Sequence, residues 1–140
     1  MTMQGIPALR GLLTRFPKVK VLLDHCARPD LSDGVPYAAA RELFALAALP
    51  GVHLKLTNRT LAAAAEGAST PPDFLRALVT AFGSDRIAWG SNFPAAAGTL
   101  ASLAATAREG LAGLSSADRE RIFSGTARGL YPFAEKGPTA

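Results

Sequence analysis

A mostly apolar segment near the start of the chain, residues 19–23, constrains the fold more than any other stretch. It changes abruptly to polar residues at Asp24 and His25, and Pro29 ends it. Such a run is typical of a strand covered on both faces, as parallel strands of α/β proteins are. Functional groups in these folds lie at the carboxyl ends of the strands. Side-chain alternation places His25 in the inward-facing row, and a hydrogen-bonded core or loop histidine is the alternative.

Two further segments predict strands. Residues 52–57 alternate strictly between an apolar face and a polar face formed by His53, Lys55 and Thr57. We expect the polar face to point into the interior, and the alternative is an exposed face of an edge strand. Residues 85–94 predict the next short strand, in which Asn92 follows the small residues Ala88 and Gly90 on one face, so that a ligand would have room at the top of that face. The alternative is a glycine turn with an asparagine cap.

Helical patterns separate these strands. We predict helices over residues 4–17, 37–49, 70–82 and 98–112, a short or irregular helical insert over 58–65, and a last helix that opens at Ser115. Thr70 and Asp73 form the capping pattern of the helix predicted over 70–82, and Gly83 ends it. The packing side of the last helix is Ile122, Phe123, Leu130, Tyr131 and Phe133. Strands that alternate with helices indicate an α/β fold with a parallel sheet and right-handed crossovers.

Length and composition exclude several classes of protein. The 140 residues make one domain, yet a closed eight-stranded α/β barrel needs about 250 residues. No apolar run reaches the roughly 18 residues of a membrane span, and the start lacks a signal-peptide pattern, so we expect a cytoplasmic protein without membrane contact. The net charge of +4 comes from scattered arginines, which favours a small anionic substrate over nucleic acid.

The single cysteine, Cys26, rules out a disulfide within the chain. Its position beside His25 raises the hypothesis of a thiol nucleophile. No base with an orienting partner can be identified for it, so a buried packing residue is the preferred interpretation.

Three stretches together resemble the C-terminal part of the amidohydrolase-related family, in the branch that contains pyrone-dicarboxylate lactonases and ring-acid decarboxylases. Residues 16–25, which end in Asp24-His25, resemble the sixth strand of its barrel. Residues 82–94 resemble the eighth strand, residues 114–133 resemble the closing helix, and residues 52–57 would be the seventh strand. The resemblance implies a partial (β/α)8 TIM barrel, strands six to eight with their helices, so that residues 1–140 form an incomplete domain.

The resemblance also implies a chemistry, the attack of an activated water on a carbonyl. In the family, strand-end histidines and a strand-eight aspartate surround a divalent metal such as zinc, and some lactonases work without one. His25 would be a metal ligand or a hydrogen-bond donor to the substrate, while Arg28 would bind a substrate carboxylate. We assign Lys55 and His53 to substrate binding as well. Asn92 stands where the family has aspartate, and an amide cannot act as a general base.

Strands one to five of the family barrel have no counterpart in this sequence. We therefore expect a hydrolase that acts on a lactone or amide carbonyl of a small carboxylated substrate, with this chain holding part of the site. The Asp-His-x-x-Arg-Pro run favours lactones. The alternatives are a decarboxylase of the same superfamily and a non-catalytic remnant or binding scaffold that holds an anion at Arg28 and Lys55. The isolated chain is predicted to be inactive and could self-associate through its open sheet edges.

Overall fold

The computed structural model describes residues 2–131. Its strands are β1 (Val21–Asp24), β2 (Val52–Leu56) and β3 (Ile87–Trp89). They form one three-stranded sheet in the order β1-β2-β3, and both pairs are parallel. The predicted α/β fold with a parallel sheet is therefore confirmed. Because β2 is the central strand, its polar face is not the exposed face of an edge strand.

The helices lie between the strands and after them, close to the predicted positions. In chain order they are α1 (Ile6–Arg15), α2 (Arg41–Ala45), α3 (Asn58–Ala63), α4 (Pro71–Phe82), α5 (Leu100–Gly110), α6 (Ser116–Glu120) and α7 (Thr126–Leu130). A π-helical turn (Arg121–Gly125) joins α6 to α7, so these three pieces form one long helix. The predicted packing residue Phe133 lies outside the described residues. None of the helices in residues 2–131 is both long and apolar enough to cross a membrane.

The capping residues of α4 and α6 behave as their sequences predict. The Thr70 hydroxyl accepts a hydrogen bond from the Asp73 backbone N–H at 3.3 Å and donates one to the Asp73 carboxylate at 2.7 Å. Ser115 makes the same pair of contacts with Asp118. Such contacts satisfy backbone groups that have no partner within the helix. Gly83 ends α4 with a positive φ of 78°, a conformation that glycine adopts without a steric penalty.

The apolar face of β2 lies at the centre of the hydrophobic core. Val52, Leu54 and Leu56 are all completely buried. They belong to one cluster with the apolar faces of the neighbouring helices, which includes Leu43, Leu46, Phe74, Leu75 and Leu78. The strict alternation of residues 52–57 is therefore the sequence signal of a central strand that presents different chemistry on its two faces.

Arg86 joins two helical segments to the amino end of β3. Its guanidinium donates to the backbone carbonyls of Phe82 at 2.7 Å, Leu49 at 3.1 Å and Ala47 at 3.1 Å. These carbonyls lie at the ends of two helical segments, where they have no partner within the helix and where a positive charge is favourable. Arg86 therefore fixes both segments against the sheet.

Three details of the predicted elements are wrong. The strand predicted over 85–94 is limited to β3 (Ile87–Trp89), because a 3₁₀ turn (Ser84–Arg86) precedes it and the backbone has a positive φ at Asn92. β1 is not covered along its length: Leu23 is buried, Val21 and Leu22 are half-buried and Asp24 is exposed. The reason is that β1 pairs only with β2 within residues 2–131, so that neighbouring elements cover it incompletely. The segment predicted as one helix over 37–49 is α2 flanked by two short 3₁₀ turns, Ala38–Ala40 and Leu46–Ala48.

Candidate active site

The chain leaves β1 through an unusual left-handed turn. Four consecutive residues without a glycine among them have positive φ angles: His25 (54°), Cys26 (51°), Ala27 (62°) and Arg28 (54°). A hydrogen bond of 2.9 Å from the Arg28 N–H to the His25 carbonyl closes the turn. This conformation costs about 1–2 kcal/mol per residue for L-amino acids, and strain of this kind concentrates at functional sites. The turn buries Cys26 and Ala27 completely and leaves Arg28 exposed.

His25 is held by the end of the neighbouring strand. Its Nδ1 lies 2.8 Å from the hydroxyl oxygen of Thr57, the residue that follows β2. Thr57 is completely buried, and its hydroxyl lies 3.4 Å from that of Thr60. Partial burial lowers the pKa of His25, and the nearby cations Arg28, Lys55 and Arg59 act in the same direction, against the opposing effect of Asp24. The balance of these effects favours the neutral imidazole.

Lys55 and Asp24 form an ion pair across the first two strands. The Lys55 Nζ lies 2.9 Å from the Asp24 Oδ1. The hydrogen bond from Lys55 is the main cause that lowers the pKa of Asp24. The Lys55 side chain passes over Gly90, where an added Cβ would come within 2.5 Å of the Lys55 Cε. The lysine predicted to bind substrate thus has a carboxylate partner within the chain.

A pocket of about 390 Å³ opens beside His25. Its charged lining consists of Arg28 and Arg59, both exposed to solvent, and Glu66. The other lining residues are Pro29, Thr60, Ala62 and Ala63. The structure therefore brings two guanidinium groups and an imidazole to one concave surface, a combination suited to a small molecule with a carboxylate and a carbonyl.

Sequence analysis missed Arg59, Glu66 and Thr60, and it placed Thr57 on the inward face without giving it a role. Arg59 could have been found, because it follows the end of β2 by three residues and the carboxyl ends of parallel strands meet at one edge of the sheet. Thr57 gave the weaker signal of a polar residue on the inward face. Glu66 lies beyond α3, in a segment whose composition predicts only a flexible loop.

Three of the predicted site residues, Lys55, His53 and Asn92, do not line this pocket. His53 is the second residue of β2, near the opposite end of the sheet, and lines a separate cavity of about 580 Å³ with Lys20 and Asp85. Asn92 follows β3 at the carboxyl edge, adopts a positive φ of 56°, and is half-buried. The predicted roles of His53 in substrate binding and of Asn92 in catalysis stay predictions.

The described residues do not by themselves form a metal centre. Within residues 2–131, no group of three or more histidine, cysteine, aspartate or glutamate side chains is arranged to hold a metal ion. Asp24 is engaged by Lys55, and burial raises the pKa of the Cys26 thiol to about 12. His25 is thus a single donor, whereas protein zinc sites use three or four ligands.

The structure is an α/β arrangement with a parallel sheet, and a histidine and two arginines are gathered at the carboxyl ends of its strands. The chain belongs to the amidohydrolase family, whose sequence model matches residues 1–133.

Individual relatives agree with this family. The chain is 33% identical over 95 residues to the L-fucono-1,5-lactonase of Burkholderia ambifaria, a match that covers 67% of this chain and 33% of the lactonase. It is also similar to the crystal structure of an amidohydrolase from Burkholderia multivorans with bound zinc, at 26% identity and a TM-score of 0.72. That alignment covers 94% of this chain and 50% of the amidohydrolase.

A third relative shows the same fold. A proposed 2-pyrone-4,6-dicarboxylic acid hydrolase from Pseudomonas putida aligns with a TM-score of 0.73 at 24% identity, over 96% of this chain and 50% of its own. The chain thus spans a third of the lactonase and half of the two solved structures. This coverage and the three-stranded parallel sheet agree with part of a barrel.

Proposed function

We propose that this chain supplies part of the active site of a lactone hydrolase that acts on a small carboxylated substrate. The single observation that supports this most is the pocket in which His25, Arg28 and Arg59 meet. The lactonase relative and the family favour attack of water on a carbonyl. In this proposal β1, β2 and β3 correspond to strands six, seven and eight of the barrel.

The two arginines would bind the substrate carboxylate. A guanidinium presents a planar fork of N–H donors that matches a carboxylate, and Arg28 and Arg59 reach the pocket from the ends of different strands. Binding from two sides fixes the orientation of the substrate as well as its charge. His25 would then lie beside the carbonyl and donate a hydrogen bond to its oxygen as negative charge develops there.

The group that activates the water is the part that these residues do not supply. Asn92 cannot accept a proton as a base, and Asp24, the carboxylate next to His25 in the chain, is bonded to Lys55, which lowers its pKa. We propose that the base lies in barrel strands beyond this chain. The alternative to the hydrogen bond from His25 to the carbonyl oxygen is that His25 serves as one ligand of a divalent metal such as zinc, whose other ligands would come from those strands. The isolated chain is therefore expected to be inactive.

The test is hydrolysis of a panel of lactones by the longest protein that contains this sequence, with and without chelator. Arg28→Ala and Arg59→Ala should lower kcat/KM for carboxylated lactones by about 10–100-fold each, because each removes a charge-assisted hydrogen bond. The same substitutions should cause a smaller loss of kcat/KM for an uncarboxylated lactone. Arg41→Ala is the matched control, since the Arg41 side chain is 80% exposed and does not line the pocket. Absence of turnover of every lactone and amide would refute the proposal.

A non-catalytic scaffold that binds an anion is the second candidate, and Asn92 in place of a carboxylate favours it. Its signature would be saturable binding of a dicarboxylate that is lost in Arg28→Ala and Arg59→Ala, with no product formed. The decarboxylase alternative predicts instead that carbon dioxide is released from aromatic or muconate-type acids.

A further inference from the structure

The buried hydroxyl behind His25 restricts the state of the imidazole. Thr57 is 0% exposed, and Thr60 is 3% exposed. The hydrogen bonds of the Thr57 hydroxyl within residues 2–131 are the contact of 2.8 Å with His25 Nδ1 and the contact of 3.4 Å with Thr60. A hydroxyl has one proton to donate and two lone pairs that accept. The direction of the short bond therefore determines where the imidazole proton lies.

The two neutral tautomers of His25 leave Thr57 in different states. If Nδ1 holds the proton, it donates to Thr57, and the hydroxyl proton of Thr57 must go to Thr60 at 3.4 Å, near the limit for a hydrogen bond. A buried donor would then be poorly satisfied. If Thr57 donates to Nδ1, the strong bond of 2.8 Å uses its proton and leaves only acceptor lone pairs. Because unsatisfied buried donors are costly, the second arrangement is favoured.

We propose that Thr57 is a positioning residue that holds neutral His25 as the Nε2–H tautomer, so that the ring presents a hydrogen-bond donor to the pocket formed with Arg28 and Arg59. With Nδ1 turned toward β2, Nε2 is the ring nitrogen left for a ligand. In this state it donates to a carbonyl oxygen and has no lone pair for a proton or a metal ion. The catalytic consequence rests on the proposed function, whereas the tautomer does not.

The test is an imidazole ¹⁵N NMR spectrum of the full chain, recorded above about pH 8, where histidine is neutral. His25→Asn identifies the signals of His25 against those of His53. We expect a protonated Nε2 and a hydrogen-bonded acceptor Nδ1. Thr57→Val, which keeps the shape and removes the hydroxyl, should shift the Nδ1 resonance toward that of a free acceptor nitrogen. Thr57→Ser, which keeps the hydroxyl, should leave it near its original value.

Thr106→Val is the matched control, because the Thr106 hydroxyl bonds to the carbonyl of Ser102 on the exposed surface of α5. It should leave the His25 signals unchanged. A protonated Nδ1 in the unsubstituted chain would overturn the proposal, and this measurement does not depend on whether any variant folds. An unchanged Nδ1 resonance in a folded Thr57→Val chain would overturn it as well.

Activity separates this proposal from the proposed function. In a longer protein that hydrolyses lactones, Thr57→Val should lower kcat about tenfold or more with a smaller change in KM, and Thr57→Ser should restore most of it. If the spectra show the Nε2–H tautomer and no lactone is hydrolysed, the proposed function fails while the assignment of Thr57 stands. Equal effects on kcat for the valine and serine variants would contradict a role of the hydroxyl.

Discussion

Lys55 Nζ lies 2.9 Å from Asp24 Oδ1, and the two residues are direct partners in the register of β2 and β1. The ion pair therefore crosses the sheet where the strands end and the pocket begins. It engages the carboxylate of Asp24, the neighbour of His25 in the chain, and gives the predicted substrate-binding lysine a partner within the fold. The cations that line the pocket and can meet an anionic ligand are Arg28 and Arg59, beside the anionic Glu66.

Removing this ion pair should change how stability depends on pH. The pKa of Asp24 is lowered in the folded state, so its contribution to the free energy of unfolding is present above about pH 4 and is lost as pH falls through the folded value. Lys55→Met should lower the unfolding free energy at neutral pH by less than about 1 kcal/mol, since both side chains are partly exposed. The loss should vanish in acid.

Urea unfolding between pH 2 and pH 7 measures this difference, together with the titration of the Asp24 carboxyl by NMR. Arg76→Met is the matched control, because it removes the exposed Arg76–Asp73 ion pair on α4. It should leave the Asp24 titration unchanged. A pKa of Asp24 that stays the same in Lys55→Met would show that Lys55 does not lower it.

Gly90 should be required for the path of the Lys55 side chain. A Cβ at this position would lie 2.5 Å from Lys55 Cε and 3.1 Å from Lys55 Cγ, so Gly90→Ala should displace the lysine and raise the pKa of Asp24 toward its usual value. NMR titration of Asp24 measures this effect. Gly11→Ala is the control, because nothing lies within 4 Å of its added Cβ in α1. It should stabilise the chain by about 0.5–1 kcal/mol, and an unshifted Asp24 in Gly90→Ala would contradict the prediction.

Cys26 should be unreactive in the folded chain. It is completely buried, and its thiol has a pKa raised to about 12, which leaves roughly a thousandfold less thiolate at neutral pH than an ordinary cysteine. Labelling by a thiol reagent should be slow in native buffer and fast in concentrated urea. Rapid labelling without urea would revive the hypothesis of a cysteine nucleophile.

Truncation of the central strand should be strongly destabilising. Leu54→Ala removes a completely buried side chain from β2 and should lower the unfolding free energy by about 2–5 kcal/mol. Leu12→Ala is the control, because Leu12 is 51% exposed, and it should cost less than about 0.5 kcal/mol. Urea unfolding midpoints compare the two, and similar midpoints would contradict the central place of β2 in the core.

Self-association through the sheet edge stays a prediction of the sequence. β1 pairs only with β2 within residues 2–131, and the exposed apolar side chains of Phe16 and Val19 precede it. Sedimentation velocity over a range of concentrations should show dimers or larger species. Phe16→Lys with Val19→Lys should reduce them, because charge on an edge opposes strand pairing. A monomer at every concentration would contradict the prediction.

Local sequence determined the elements whose signals come from near neighbours. The start of α4 is predicted because Thr70 and Asp73 form a capping pattern. The strand β2 is predicted because successive side chains along it alternate between apolar and polar. The order of strands and helices determined that the sheet is parallel. The cap and the alternation involve residues that are close in the sequence, and the order of the elements is itself a property of the sequence. A single sequence is therefore enough to predict them.

Only the tertiary structure decided how the site is assembled. Alternation along β1 could not place the imidazole of His25, because the backbone leaves the strand with positive φ at His25 itself. The contacts of His25 with Thr57, 32 residues away, and of Lys55 with Asp24 depend on the register of two strands. The sequence alone identified His25 and Arg28 as candidates, but it did not reveal which groups pair with each other, because register follows from the packing of the whole sheet.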